Sequence, residues 1–439
     1  MASIQRASSN DLMELVAESG SAPMQVAAIL VLARPLRLAS VRAAMCERIQ
    51  AVPRLRQRLI RTPIGCGRPV WIDDPGFRIE DHVQARACIA PGDETALLNA
   101  AAEAVLARLP LDRPPWSVTL VRGLAGGGSA LVLVMHHVLA DGIGGLATLA
   151  QLVDGTTAPV SVPFPQAPPS RSELFADAVA HRLRMVRSLP RTVLLMRAAA
   201  AELHVREVRM APRCSLNVPT GPRRRLAVAR ADLATLARTA HAHNATVNDV
   251  LLTAVVGALA ATLQGRGETV DSLVVSVPVA GSRRNTSMQL GNHVGVMPVA
   301  VPVLSDPLER LSAVAALTRT HRRRGGSGAS AALLAPMFRS LGRLGMFQWF
   351  VDHQRLVTTF VTNLHGPLTR LSFLGVPIID ILPVAIVTGN VTVSFAALSY
   401  AGTVNVAVIA DPDHCRDWPR VAEALTAQLD QLAQSNDPA

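Results

Sequence analysis

Strand-like and helix-like segments alternate along this 439-residue chain, and the alternation occurs twice. In the first half, strand-like runs lie at 27–33, 117–123 and 130–136, and helical spacing marks 38–52 and 94–109. In the second half, strand-like runs lie at 225–230, 273–281 and 294–303, and helix-like runs at 231–243 and 246–263. Such alternation is typical of α/β folds, and the length suits two domains. We therefore expect two similar α/β halves.

The best candidate for a linker between the halves is 154–173, which is rich in proline, serine and threonine. After it, 175–209 has apolar residues at helical spacing and is predicted to be a helix pair broken at Pro190. Its basic face consists of Arg182, Arg184, Arg187, Arg191 and Arg197. An ordinary solvated face is favoured over a face that lies on an anionic membrane. The predicted division is an N-terminal domain at 1–160, a linker and basic helical region at 161–215, and a C-terminal domain at 216–439.

One long apolar segment, 381–410, contains no charged residue. Polar residues at alternate positions and the turn-forming pairs Gly389-Asn390 and Ala401-Gly402 interrupt it. The pattern predicts buried strands joined by tight loops, not a transmembrane helix.

All 43 basic residues are arginine, and with 32 acidic residues the formal net charge is +11. Such a charge favours anionic partners, either lipid headgroups or a phosphate-bearing substrate such as a CoA thioester, although codon bias accounts for arginine in place of lysine. Nucleic acid fits poorly, because one Tyr, four Trp and nine Phe offer few surfaces for base stacking. The five cysteines include no CxxC pair, which indicates a reducing compartment, and acidic residues before the first apolar run argue against a secretory signal.

The stretch LVLVMHHVLADGIGG at 131–145 carries the candidate chemistry. Successive residues of a strand face opposite sides, so His136 and His137 are expected on different sides and cannot share a metal ion. Asp141 is predicted to cap the helix that follows, with a second role of pairing with an arginine. Gly142, with the glycines at 144 and 145, permits close approach of backbones. One histidine at the end of a strand suits a general base.

HHVLADG resembles the HHxxxDG signature of CoA-dependent acyltransferases, and the chain around it is similar to the wax ester synthase/diacylglycerol acyltransferase family of actinobacteria. The similarity extends over nearly the full length. Its other motifs are APMQV, VPRLRQRL, GRPVWIDDPGFRIEDHV, PLDRPPW, SLNVPTGPRRR, TVNDVLL, VPVAGSRR, GNHVG, VTNLHGP and LSYAGTVNVAVIADPD.

This resemblance implies two domains like chloramphenicol acetyltransferase with a substrate tunnel between them and the HHxxxDG loop at its middle. His137 would deprotonate an acceptor alcohol that attacks acyl-CoA directly, and Asp141 would be mainly structural. No GxSxG elbow occurs, in agreement with a mechanism without an acyl-enzyme. Acyl-CoA is thus a co-substrate, and no cofactor or metal is expected.

Other motif residues are expected near the tunnel. Asn248 and Asp249 match a second family motif, but Thr246 and Asp249 also form a capping pattern, so a structural role is favoured. Family members have an arginine after the VPV strand, which makes Arg283 or Arg284 the candidate partner of Asp141; binding of the CoA phosphates is the alternative.

Two asparagines, Asn292 and Asn363, would line the tunnel or form turns, and neither alternative is favoured. Two departures from the family bear on substrate range. PLDRPPW lacks two residues usual between its arginine and its prolines, and His365 replaces a usual proline.

The expected function is acyl transfer from acyl-CoA to diacylglycerol, which gives triacylglycerol. The first alternative is transfer to another lipid alcohol, such as one that gives a wax ester. The second is a lipid-binding, membrane-associated protein of low activity, suggested by the shortened PLDRPPW segment and the basic helical region. The net charge, the apolar content and the water-insoluble substrate predict a cytoplasmic protein bound peripherally to the inner membrane face or to lipid droplets.

Overall fold

The computed structural model describes residues 4–18, 20–155, 163–187, 210–280, 294–323, 338 and 340–435. Two six-stranded sheets and a two-stranded hairpin form its framework, and helices pack against the sheets. The predicted alternation of strands and helices is present in both halves.

The first sheet has the strand order β11-β12-β1-β6-β5-β4. Its strands are β1 (Gln25–Leu32), β4 (Val83–Ala87), β5 (Trp116–Arg122), β6 (Ser129–His136), β11 (Ser372–Phe373) and β12 (Val376–Val384). The helices of this half are α1 (Ser9–Ala17), α2 (Leu38–Arg48), α3 (Ile79–His82), α4 (Glu94–Leu106) and α5 (Gly142–Leu152). The hairpin pairs β2 (Gln57–Ile60) with β3 (Val70–Asp73).

The second sheet has the order β7-β14-β13-β10-β8-β9. Its strands are β7 (Arg225–Asp232), β8 (Ser272–Ala280), β9 (Val294–Pro302), β10 (Thr359–His365), β13 (Val393–Tyr400) and β14 (Thr403–Ala410). The helices are α7 (Leu233–Ala242), α8 (Val247–Gly265), α9 (Pro307–Arg323), α10 (340–343), α11 (Phe347–His353) and α12 (Trp418–Gln434).

The C-terminal half contributes two strands to the first sheet. β12 pairs antiparallel with β1 from Ala27 opposite Val384 to Leu32 opposite Ile378, and β11 pairs with β12. The division predicted at 216 places both strands in the C-terminal domain. The strand pattern of 376–384 predicts a strand but does not specify which sheet that strand joins. The two halves are thereby joined by backbone hydrogen bonds as well as by side-chain packing.

The apolar segment 381–410 forms the end of β12 and the antiparallel pair β13–β14, as its alternation predicts. α8 is the one described helix long and apolar enough to cross a membrane by length and composition. In its most apolar window 78% of the residues are buried inside the protein, which is the environment of a core helix.

The basic helical region is described only in part. Residues 171–187 form a helix (α6), and its arginines Arg182, Arg184 and Arg187 are exposed. Exposed apolar side chains share this helix: Phe175, Leu183, Met185 and Val186. Pro190, Arg191 and Arg197 lie outside the described residues.

Candidate active site

Strand β6 leads to the site and separates two parts of the core. Leu131, Leu133 and Met135 pack into one apolar cluster, and Val132 and Val134 pack into another on the opposite face. The predicted alternation is therefore confirmed along the strand. However, β6 ends at His136, and His137 lies in the turn beyond it. Strand alternation thus does not determine where the second ring points.

His136 is completely buried, and both of its ring nitrogens have partners. The backbone N–H of Val138 donates to Nδ1 at 3.0 Å, so Nδ1 carries no proton. Nε2 therefore carries the ring proton and faces Oε2 of Glu18 at 3.2 Å. With both nitrogens occupied, His136 acts as part of the scaffold.

Glu18, just after α1, joins several segments of the site. Its Oε2 also accepts the N–H of Met24 at 2.7 Å, and its Oε1 accepts from Arg108 at 2.6 Å. Burial by itself would raise the pKa of Glu18, but hydrogen bonds from His136 and Met24, with the positive charge of Arg108, lower it below its usual value. Glu18 is therefore ionised at neutral pH and holds the start of β1 against the end of β6.

His137 is more accessible, with 19% of its side chain exposed. Its backbone N–H donates to the carbonyl of Met24 at 2.8 Å, which connects the APMQV motif to the histidine turn. Its Nδ1 lies 3.6 Å from Oε1 of Glu14, one helical turn before Glu18 on α1. This distance is longer than that of a hydrogen bond, but the two ionisable groups are close enough to interact electrostatically.

The PLDRPPW segment contacts the backbone of His136 directly. The carbonyl of Pro115 accepts the backbone N–H of His136 at 3.0 Å, and Trp116 begins β5 with its ring buried. The prolines of this segment therefore lie beside the histidine turn.

Asp141 caps α5, as predicted. It is 6% exposed, and its Oδ1 accepts the N–H of Gly144 at 2.9 Å. A Cβ on Gly142 would lie 3.3 Å from Leu364 of β10, and one on Gly145 would lie 3.3 Å from the end of Met135. At these two glycines the neighbours are side chains and not another backbone, and the contact of Gly142 with Leu364 places β10 of the C-terminal half against the histidine turn.

The start of α8 has a complete capping box. Asp249 is fully buried and accepts from the N–H of Thr246 at 2.8 Å and from the Thr246 hydroxyl at 2.7 Å. Its other oxygen accepts from the hydroxyl of Thr318 on α9 at 2.8 Å. These contacts support the structural role favoured from the sequence.

Two of the predicted tunnel residues meet across the C-terminal half. Nδ2 of Asn363 lies 3.5 Å from Oδ1 of Asn248, and both side chains are half-buried. Asn363 lies within β10, so the alternative of a turn-forming residue is wrong there. It directly precedes Leu364, the residue that contacts Gly142. Arg283, Arg284 and Asn292 lie outside the described residues.

The carboxylates Glu14 and Glu18 are absent from the residues predicted to form the site. Their spacing of four residues in a short amphipathic segment indicates one helix face. No local pattern shows that this face meets a turn more than a hundred residues later. Within the described chain, no group of three or more histidine, cysteine or acidic residues could hold a metal ion.

Comparisons with known proteins find matches over both halves. Residues 8–251 match the model of the wax ester synthase/diacylglycerol acyltransferase catalytic domain, and 290–433 match the WS/DGAT C-terminal domain. A protein of Mycobacterium tuberculosis named as a probable diacylglycerol O-acyltransferase is 29% identical over 403 residues, which cover 89% of this chain and 87% of that protein.

Solved structures share the fold over almost the whole chain. The wax ester synthase/diacylglycerol acyltransferase from Marinobacter aquaeolei VT8 has a TM-score of 0.71 at 22% identity and covers 98% of this chain and 99% of its own. The first condensation domain of the calcium-dependent antibiotic synthetase has a TM-score of 0.64 at 18% identity, with 98% and 96% covered.

Proposed function

Because the chain belongs to the wax ester synthase/diacylglycerol acyltransferase family, we propose that it transfers the acyl group of acyl-CoA to diacylglycerol and forms triacylglycerol. The predicted family and the predicted fold of two chloramphenicol-acetyltransferase-like halves are confirmed. The chain is therefore an acyl-CoA-dependent acyltransferase. The names of its relatives support diacylglycerol as the acceptor.

The proposed mechanism is direct transfer with His137 as general base. Nε2 of His137 takes the proton of the acceptor hydroxyl while the hydroxyl oxygen attacks the thioester carbonyl carbon. The tetrahedral intermediate then collapses, the carbon–sulfur bond breaks, and the CoA sulfur leaves with the proton held by His137. The products are the ester and free CoA, and His137 returns to its starting state.

One observation carries the choice between the two histidines. Both ring nitrogens of His136 have partners inside the protein, and the ring is fully buried. His137, which is partly exposed, lies in the turn between β6 and α5. A proton acceptor must reach the substrate hydroxyl, and the partial exposure of His137 supports it as the base of the pair.

Purified protein with labelled acyl-CoA and diacylglycerol tests the proposal. Loss of a general base costs on the order of 100- to 10,000-fold in turnover, so we expect His137→Ala to fall by that factor with its fold intact by circular dichroism. Wild-type turnover in His137→Ala would show that the mechanism is wrong.

An acceptor screen at fixed acyl-CoA separates the related activities. We expect the highest kcat/KM for diacylglycerol. Preference for long-chain alcohols would instead identify a wax ester synthase, and no turnover on any acceptor, with lipid binding retained, would favour a lipid-binding protein.

We further propose that the protein binds peripherally to an anionic membrane surface or lipid droplet. Helix α6 supports this, because exposed Phe175, Leu183 and Val186 accompany the exposed Arg182 and Arg184. Flotation with anionic liposomes should be strong at low salt and weaker at high salt. Protein that stays unbound in both conditions would contradict the proposal.

A further inference from the structure

Helix α1 presents two carboxylates to the two adjacent histidines. Glu14 and Glu18 are one helical turn apart, which places both on one face. Oε2 of Glu18 lies 3.2 Å from Nε2 of His136, and Oε1 of Glu14 lies 3.6 Å from Nδ1 of His137. The two carboxylates therefore face different nitrogens of the two rings.

We propose that Glu14 is a positioning residue for His137: it keeps the ring proton on Nδ1, so that Nε2 carries the lone pair of the base. The inference rests on the proposed role of His137. A carboxylate near one imidazole nitrogen stabilises a proton there, and the other nitrogen then carries the lone pair. Glu14 would thus determine the tautomer of His137 and the direction of its basic nitrogen.

His136 provides the contrast within the same site. Its Nδ1 accepts the Val138 N–H, which leaves the proton on Nε2, toward Glu18. The neighbouring rings would then hold opposite tautomers, each with its protonated nitrogen toward α1. The helix would make one histidine a fixed structural donor and the other a base.

The end of α1 is anchored well enough for such a role. Arg108 donates to the backbone carbonyls of Glu18 at 3.0 Å and Gly20 at 2.7 Å, as well as to the Glu18 carboxylate. At the other end, Ser8 and Asp11 form a capping box. Glu14 lies between these anchors with 14% of its side chain exposed, so water screens its interaction with His137 only in part.

Nitrogen-15 NMR of histidine-labelled protein tests the proposal without relying on turnover. The His137 signals are assigned with His137→Asn, and we expect the Nδ1–H tautomer in the wild type. In Glu14→Leu we expect His137 to populate the Nε2–H tautomer, while His136 keeps its proton on Nε2 as an internal control. A wild-type His137 that already carries its proton on Nε2 would overturn the inference.

Kinetics give the second measurement. A misplaced catalytic group costs on the order of 10- to 100-fold, so we expect that loss of kcat in Glu14→Leu, with KM changed less than about threefold. Glu14→Asp should recover part of the loss. If Glu14→Leu does not fold, Glu14→Gln, which keeps the size of the side chain and removes its charge, takes its place.

The outcomes separate this inference from the proposed function. Wild-type kcat in the Glu14 variants, or a loss of kcat with an unchanged His137 tautomer, would overturn the positioning role. Absence of diacylglycerol acylation by the wild type would contradict the proposed acceptor, while the NMR signals would still report on Glu14.

Discussion

Two helices of this molecule, α5 and α8, begin in family-like motifs that carry an aspartate, yet the two aspartates have different surroundings. Asp141 is the N-cap residue of α5 and accepts the N–H of Gly144. Asp249 is the third residue after the N-cap Thr246 of α8, and it contacts Thr246 and also Thr318 of a second helix. The first motif starts a helix next to an accessible histidine, and the second joins two helices in the core.

The difference shows that a motif aspartate is not evidence of chemistry by itself. At α5 the cap lies in the same turn as His137, the base of the proposed mechanism. At α8 the carboxylate is fully buried and accepts hydrogen bonds from Thr246 and from Thr318 of a second helix. We therefore expect changes at α8 to affect stability first, and changes at α5 to affect turnover more than stability.

The largest effect on stability is expected for Asp249→Ala. The change removes a helix cap and leaves the buried Thr318 hydroxyl without its carboxylate acceptor, so the free energy of unfolding should fall by about 3 kcal/mol. Urea denaturation followed by circular dichroism measures this. Thr318→Val is the matched control, because it removes one of the contacts while the cap stays, and it should cost about 2 kcal/mol.

The comparison would break if Asp249→Ala unfolded at the same urea concentration as the wild type while its turnover collapsed. That result would mean that the α8 aspartate has a part in the reaction. Equal losses of stability in Asp249→Ala and Thr318→Val would instead mean that the contact with Thr318 accounts for the whole effect and that the capping box adds no stability.

The features predicted from the sequence are those that depend on neighbouring residues. The caps of α5 and α8 follow from an aspartate or threonine before an apolar helical run, and the strands follow from alternation. The family follows from HHVLADG and the motifs around it. Each is specified within a few residues, so no knowledge of the tertiary fold is needed.

The features that escape prediction depend on contacts between distant segments. Glu14 meets His137 because β1 pairs with β6 and brings α1 across the end of the strand. The direction of the His137 ring also escapes prediction, because strand alternation stops at His136 and His137 lies in the turn beyond β6. β12 joins the first sheet for the same kind of reason: its partner β1 lies some 350 residues earlier.

The smaller effect on stability is expected for Asp141→Ala. Loss of an N-cap costs about 1 kcal/mol, and Asp141→Asn keeps an oxygen for the Gly144 N–H, so the two variants separate the cap from the charge. If the start of α5 serves mainly to hold His137, kcat of Asp141→Ala should fall at least about tenfold. A loss of about 1 kcal/mol in stability leaves nearly all of the protein folded, so unfolding alone would not explain such a decrease in kcat. Chemical denaturation and acyl-transfer kinetics on the same preparations measure both quantities. A loss of kcat in Asp141→Ala no greater than that in Thr318→Val would contradict the distinction, since both helix starts would then act through stability alone.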